Sequence, residues 1–262
     1  MSMKRPPQRA TRVRPTKPLW KIGSSYKPRV RRFRWIRTFP FKIVLVLICL
    51  YIGYEILTFP FLSITRLPTE NPTETALMRQ RIEEANYKGK TLKINYRWVA
   101  LVNVPRHVRM AVLVAEDGTF YSHAGVDWYE VWESATTNWE KGRIVRGGST
   151  ITQQLAKNLY LSTSREPIRK LKELLITWML ESTLSKKRIL ELYLNIIELG
   201  HGIFGIEAAA QRYFHKSVSQ LTMEESARLA AVIPSPLRHK PTETSSYVER
   251  KKDLILRRMS TR

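Results

Sequence analysis

Glu116 and Asp117 stand side by side just before a glycine, and a third acid, Glu173, follows much later in the chain. Forming or cleaving a glycosidic bond characteristically takes two carboxyl groups disposed about the sugar, one of them serving as acid or base. A carboxylate at the negative end of a helix, beside a like charge and partly withdrawn from water, is disfavoured as the anion. Its pKa then rises toward the range in which a general base works. Glu116 is the candidate base on these grounds. Glu173 is the candidate second carboxyl, but it lies one helical turn after Arg169, so a structural i,i+4 ion pair is an equal reading of the same spacing.

Anion chemistry is suggested by Gly147-Gly148-Ser149-Thr150, a turn entering a helix whose backbone N–H groups could hold a negative group, with Lys157 further along to add charge. A double glycine before a helix cap is also a routine helix start, and Lys157 and Arg169 could equally be surface charges. The five histidines show no metal-ligand spacing such as HExxH, which argues against zinc. His123, seven residues after Glu116, is placed to brace the turn that carries the acids, with an ordinary loop histidine as the alternative. Cys49 is the only cysteine, so intrachain disulfides, a cysteine nucleophile elsewhere and cysteine metal sites are excluded.

These side chains need helices to position them. Residues 104–116 follow Asn103, a fair N-cap, carry Pro105 in the first turn and repeat Val108, Ala111, Val112, Ala115 at helical spacing, so Glu116 and Asp117 fall at a helix C-terminus before Gly118. A second helix starts at Thr150, with Thr150 and Gln153 spaced as a capping box. It buries Ile151, Leu155 and Leu159 and presents Gln154, Lys157 and Asn158. A third begins near Pro167, with Ile168, Leu171, Leu175 and Trp178 expected on its core side and Arg169, Glu173, Thr177 and Glu181 on a polar stripe. A fourth, over 186–197, is apolar nearly all round and expected to be central. The last clear helix opens at the capping box Thr222-Met223-Glu224-Glu225 and stops at Pro234. One strand is expected over 92–102. The fold class that results is mainly α with a short β element.

Residues 1–42 hold 14 of the 45 Lys and Arg and none of the 22 Asp and Glu. Such a tail cannot bury a core and is expected to be disordered over 1–40. Nucleic-acid binding, a targeting peptide and a cytoplasmic tail all fit the charge alone. The apolar run that follows, with Ile43 to Tyr54 uncharged, decides for a cytoplasmic tail ahead of one transmembrane anchor over 41–62. Lys42 can snorkel to the near interface, and Glu55 must sit close to the far one. No small-residue cleavage site follows, so the anchor is read as uncleaved. Residues 63–75, with Pro68 and Pro72, read as a linker, and 76–262 as the domain, lying on the outer side of the membrane.

Taken together, the motifs resemble glycosyltransferase family 51, the peptidoglycan glycosyltransferase domains of class A penicillin-binding proteins and, more closely, the monofunctional enzymes. Glu116 to Asp127 fits EDxxFxxHxGxD, Gly147 to Asn158 fits GGSTxxQQxxKN, Arg169 to Glu173 fits RKxxE, and Lys186 to Asn195 fits KxxILExYLN. Gly200 to Lys216 fits the family's GxGxxGxxAAAxxYFxK. Ser226 and the run Ile233-Pro234-Ser235-Pro236 depart from the family pattern, in a packing helix and its exit turn.

The resemblance implies a lysozyme-like helical glycosyltransferase domain preceded by one transmembrane helix. It implies an enzyme that polymerises lipid II into linear β-1,4 glycan strands, inverting at C1 of the undecaprenyl-pyrophosphate-linked donor. The stretch after Pro236 is too short for a transpeptidase. Glu116 would be the base, with Glu173 organising the donor side or holding a divalent cation, Mg or Mn, although no cofactor is required. Lys157, Arg169 and Lys170 would stabilise the leaving pyrophosphate. Ser149, Thr150, Gln154, Asn158 and Asn195 would complete the substrate-binding set with Asp117, Phe120 and His123, which would also fix the base. The implied partners are lipid II, the nascent glycan chain, the membrane, against which residues 128–146 would rest, and cell-wall synthesis or divisome proteins, with no nucleic acid. The location is the inner, cytoplasmic membrane with a periplasmic catalytic domain. A lytic, lysozyme-like hydrolase and a catalytically idle cell-wall scaffold are the rival readings.

Overall fold

In a computed structural model the described residues are 35–143, 147–163 and 167–261. They fall into two units divided between Phe59 and Pro60. In the first, helix α1 spans Trp35–Leu57, 23 residues and therefore about 34 Å of helix, enough for a hydrocarbon core of about 30 Å. The stretch Phe41–Arg66 is long and apolar enough to cross a membrane, and the apolar side chains of α1 from Phe41 on are exposed. The helix begins within the stretch expected as basic tail. Residues 1–34 of that tail lie outside the described residues.

The second unit is helical with one small sheet. Its elements are α2 (Phe61–Arg66), α3 (Ala76–Tyr87), β1 (Asn95–Tyr96), α4 (Arg106–Glu116), α5 (Trp128–Glu140), α6 (Ile151–Tyr160), α7 (Pro167–Thr183), α8 (Lys186–Ile196), β2 (Glu198–Gly200), β3 (Ile203–Phe204), α9 (Ile206–Phe214), α10 (Met223–Val232) and α11 (Ser246–Ser260). The segment expected as a linker is thus partly helical, in α2. Side-chain caps set the helix starts: Thr75, Asp127, Thr150, Ser185, Thr222 and Ser245 each accept a backbone N–H of the first turn. Each such cap contributes about 1 kcal/mol. Those at Thr150 and Thr222 are full capping boxes, as their spacing indicates. The expected cap at Asn103 is not made: Asn103 closes a 3-10 turn, and Pro105 stands at the N-cap of α4.

Helix α8 is the hub. Ile189, Leu190, Leu192, Tyr193, Leu194 and Ile196 are all fully buried, and α8 packs against α6, α7 and α9. The sheet runs β1-β3-β2, with β1 parallel to β3 (Asn95 opposite Ile203) and β2 antiparallel to it.

The strand expected over 92–102 is only two residues long, and α8 supplies the reason. Asn195 of α8 accepts the Val99 N–H and donates to the Val99 carbonyl, both at 2.8 Å, and Glu191 accepts the Leu101 N–H at 2.8 Å. The backbone groups a ladder would use are taken by side chains. Asn195, expected to bind substrate, is therefore buried and spent on this bracket. Gly205 passes so close that a Cβ there would lie 2.4 Å from the Asn195 carbonyl oxygen.

Helix α7 is turned the opposite way from expectation. Ile168, Leu171, Leu175 and Trp178 are between 43 and 58% exposed, while Glu173, Ile176, Thr177 and Leu180 are buried. The polar stripe can face inward because its groups find partners. Glu173 pairs with Arg169 and Lys170, Thr177 donates to the Glu173 carbonyl, and Glu181 receives both Thr152 and Lys186.

Candidate active site

Helix α4 buries Val108, Ala111 and Val112 against α10 and α11 and ends at Glu116, with Asp117 as its C-cap. Arg258 of α11 donates to the Val114 carbonyl at 3.2 Å, placing a cation at the negative end of the helix. Glu116 opens onto a cleft of about 890 Å³ whose lining includes Asp117, Ser149, Thr150, Gln154, Lys251 and Arg258.

The two adjacent acids have different surroundings. Asp117 is buried and accepts the Ile151 N–H at 3.0 Å, at the first turn of α6. It also meets His123 Nε2 at 3.0 Å. The Gly125 N–H donates to His123 Nδ1 at 3.1 Å, so Nδ1 is the acceptor and Nε2 carries the proton given to Asp117. Thr150 Oγ1 donates to the Gly125 carbonyl at 2.6 Å and accepts the Gln153 N–H. The loop after α4 and the start of α6 are thereby locked into one piece. Gly125 sits at φ +87°, where a Cβ would approach Thr177 Cγ2 to 2.7 Å, so the loop has no room for a larger residue.

This arrangement revises the glycine-rich turn. At the α6 N-terminus the anion is the protein's own Asp117, and the N–H groups of Thr150, Ile151 and Gln153 are engaged by Gln153, Asp117 and Thr150 in turn. Gly147, Gly148 and Ser149 still line the cleft, and Ser149 is exposed. Phe120 is buried at 1% exposure with the Lys186 ammonium 4.5 Å from its ring centroid, so it packs under the loop and does not face the cleft.

Glu116 Oε2 accepts Gln154 Nε2 at 2.8 Å, and the Tyr193 hydroxyl donates to Gln154 Oε1 at 3.0 Å. Glu116 Oε1 is buried with no hydrogen-bond partner among the described residues. Burial pushes the Glu116 carboxyl above its ordinary range. The Gln154 hydrogen bond, then Lys251 and Lys157, pull it down, and Asp117 adds only a smaller push upward. Desolvation, more than the neighbouring acid, makes this carboxyl unusual.

The residues expected on the donor side form a second cluster. Glu173, 3% exposed, pairs with Arg169 at 2.8 Å and also with Lys170, so the ion pair that spacing left open is made. Glu173 is not among the residues that line the Glu116 cleft. It does not fit a divalent cation either, because both its oxygens are in ion pairs and further positive charge would face Lys157, Arg169 and Lys170. Lys157, half-buried on α6, links the two clusters electrostatically. Burial lowers its pKa, Glu173 opposes, Arg169 and Lys170 lower it further, and Glu116 opposes. Asn158 is buried beside it on α6.

Sequence reasoning missed Lys251 and Arg258, because helix α11 was not foreseen. A signal was present: Ser245 caps it, and Val248 and Ile255, two helical turns apart, are its buried residues.

The sequence model of the family described as Transglycosylase matches residues 84–260. A biosynthetic peptidoglycan transglycosylase of Methylobacillus flagellatus is 42% identical over 217 residues, covering 83% of this chain and 93% of that protein. One from Herminiimonas arsenicoxydans is 40% identical over 226 residues, covering 86% and 97%. One from Aromatoleum aromaticum is 44% identical over 198 residues, covering 76% and 85%.

Proposed function

The chain belongs to the transglycosylase family, and from that premise we propose that Glu116 is the general base of a reaction that joins peptidoglycan sugars. The protein is a peptidoglycan glycosyltransferase that polymerises lipid II into glycan strands. In the proposed step the 4-hydroxyl of the acceptor sugar gives its proton to Glu116 and its oxygen attacks C1 of the donor. The O4–C1 bond forms as the bond from C1 to the pyrophosphate oxygen breaks, and the configuration inverts from α to β. The pair of electrons leaves on undecaprenyl pyrophosphate, whose developing charge falls to Lys157, Arg169 and Lys170.

One observation carries this reading. Glu116 has one oxygen held by Gln154 and the other buried without a partner among the described residues, at a cleft that also holds Lys251 and Arg258. A carboxyl group whose pKa is raised by burial is a stronger proton acceptor than an ordinary glutamate. Glu173 is placed in this scheme as the anchor that spaces the donor-side cations. Ser149 and Gln154 line the acceptor side, and Asp117 and His123 hold the loop that aims the base.

The helix from Phe41 suggests a membrane anchor. By the positive-inside rule the basic segment before it lies in the cytoplasm and the catalytic domain in the periplasm. Trp128, Tyr129, Trp132 and Trp139 of α5 are 65 to 88% exposed, and with the apolar stripe of α7 they suit a bilayer interface from which a lipid-linked substrate is drawn. Residues 144–146, the end of the stretch expected to rest on the bilayer, lie outside the described residues.

The test is incubation of the purified full chain with labelled lipid II. Polymer that grows from monomer and is cut by a muramidase supports the reading. Digestion of preformed peptidoglycan without polymerisation would replace it with the hydrolase.

A further inference from the structure

Gln154 is the only hydrogen-bonding neighbour of the Glu116 carboxylate among the described residues, and an amide is a two-faced partner. Its N–H end stabilises the carboxylate anion, whereas its carbonyl end repels it and favours the protonated acid. The two ends are nearly the same size, so packing discriminates weakly between them. What discriminates is the next group along. The Tyr193 hydroxyl, on the central helix α8 and fully buried, donates to Gln154 Oε1 at 3.0 Å. With the amide reversed, the hydroxyl would face an N–H and lose the acceptor for its own proton, a buried donor left unpaired.

We propose that Tyr193 is a positioning residue for the base: its hydroxyl fixes the Gln154 amide so that Nε2, and not the carbonyl, faces Glu116. Tyr193 touches neither substrate nor reacting atoms. It acts through Gln154, and the inference rests on the reading of Glu116 as the base. Burial also drives the Tyr193 pKa well above its usual value, with Glu116 and Asp117 adding to the effect, so the hydroxyl stays a donor. Among the described residues, the other charged or titratable groups that line the cleft or act on Glu116 are Asp117 beside it, Asp127, Glu130 of α5, Lys157 from α6, and Tyr247, Lys251 and Arg258 from α11.

The test is the pH profile of lipid II polymerisation by the full chain and its Tyr193→Phe, Gln154→Leu, doubly substituted and Glu116→Gln variants. Tyr193→Phe keeps the ring and removes the hydroxyl. The expected result is an acid limb moved up by about one pH unit, so that turnover is about tenfold lower below the limb and recovers above it, with little change in KM. Gln154→Leu, at a half-buried position that tolerates substitution better than the core, should move the limb in the same direction. The double variant should be no worse than Gln154→Leu alone. A Tyr193→Phe profile that keeps the wild-type limb, a loss uniform across pH, or additive effects in the double variant would overturn the inference. Full activity in Glu116→Gln would instead overturn the base itself, so the two failures are told apart.

Discussion

Glu116 and Glu173 are both carboxylates drawn out of water, and the protein treats them in opposite ways. Around Glu173, Arg169 and Lys170 complete ion pairs with both oxygens. Around Glu116 the direct partner is a neutral amide, the cations Lys251 and Lys157 act from farther off, and one oxygen is left without a partner. Satisfying a buried acid makes it part of the scaffold. Leaving it half-satisfied makes it reactive, at a cost in stability that the rest of the fold must offset.

The largest effect expected from this contrast is at Glu116 itself. Glu116→Gln should lower polymerisation by about 10³-fold, measured with labelled lipid II, while the protein stays folded. Its stability should rise at neutral pH. The folded-state pKa of Glu116 lies above the unfolded value, so between the two the folded state binds more protons and stability falls as pH rises through that window. A melting temperature higher than wild type at pH 7, converging with it in acid, is the expected result. A lower one at pH 7 would break the comparison.

Glu173→Gln should behave in the reverse sense. Removing the shared partner of two cations should cost about 2 kcal/mol, reduced from a fully buried pair because Lys170 is 44% exposed, and should lower the melting temperature. Equal melting temperatures for the two variants would show that the environments differ less than the geometry indicates.

The third expectation concerns pH. As the proposed base, Glu116 must work ionised, and burial raises its pKa, so wild-type kcat/KM should fall on the acid side through a limb above the ordinary glutamate range of about 4.3. The smallest effect belongs to Lys251, a cation that acts on Glu116 through the cleft rather than as its hydrogen-bond partner. Lys251→Ala should raise that limb by a few tenths of a pH unit and leave the melting temperature nearly unchanged, a partly exposed charge being worth about 0 to 1 kcal/mol. An acid limb lowered by this substitution would contradict the placement of Lys251 beside the base.

Much of this site was legible before any coordinates. The helix stop at Gly118, the Thr150 capping box and the central helix α8 are written in local spacing, and local spacing survives folding. The misreadings share another cause. Periodicity shows that α7 has an apolar and a polar face but not which one meets the core, and the polar face won because its charges neutralise one another. The strand over 92–102 shrank because Asn195 and Glu191, about ninety residues away in sequence, took its backbone groups. Helix α11 hid because its buried residues, Val248 and Ile255, are few among many charges. Which donor faces which carboxylate depends on such distant partners, and spacing along one segment does not record them.

The outward apolar stripe of α7 has a practical consequence at the bench. Cutting the chain after Phe59 would remove α1 but leave Ile168, Leu171, Leu175 and Trp178 on the surface, with the exposed tryptophans of α5 still in place. Such a truncated protein should elute with bound detergent and precipitate when the detergent is dialysed away, whereas charged substitutions along the stripe should make it behave as an ordinary soluble protein.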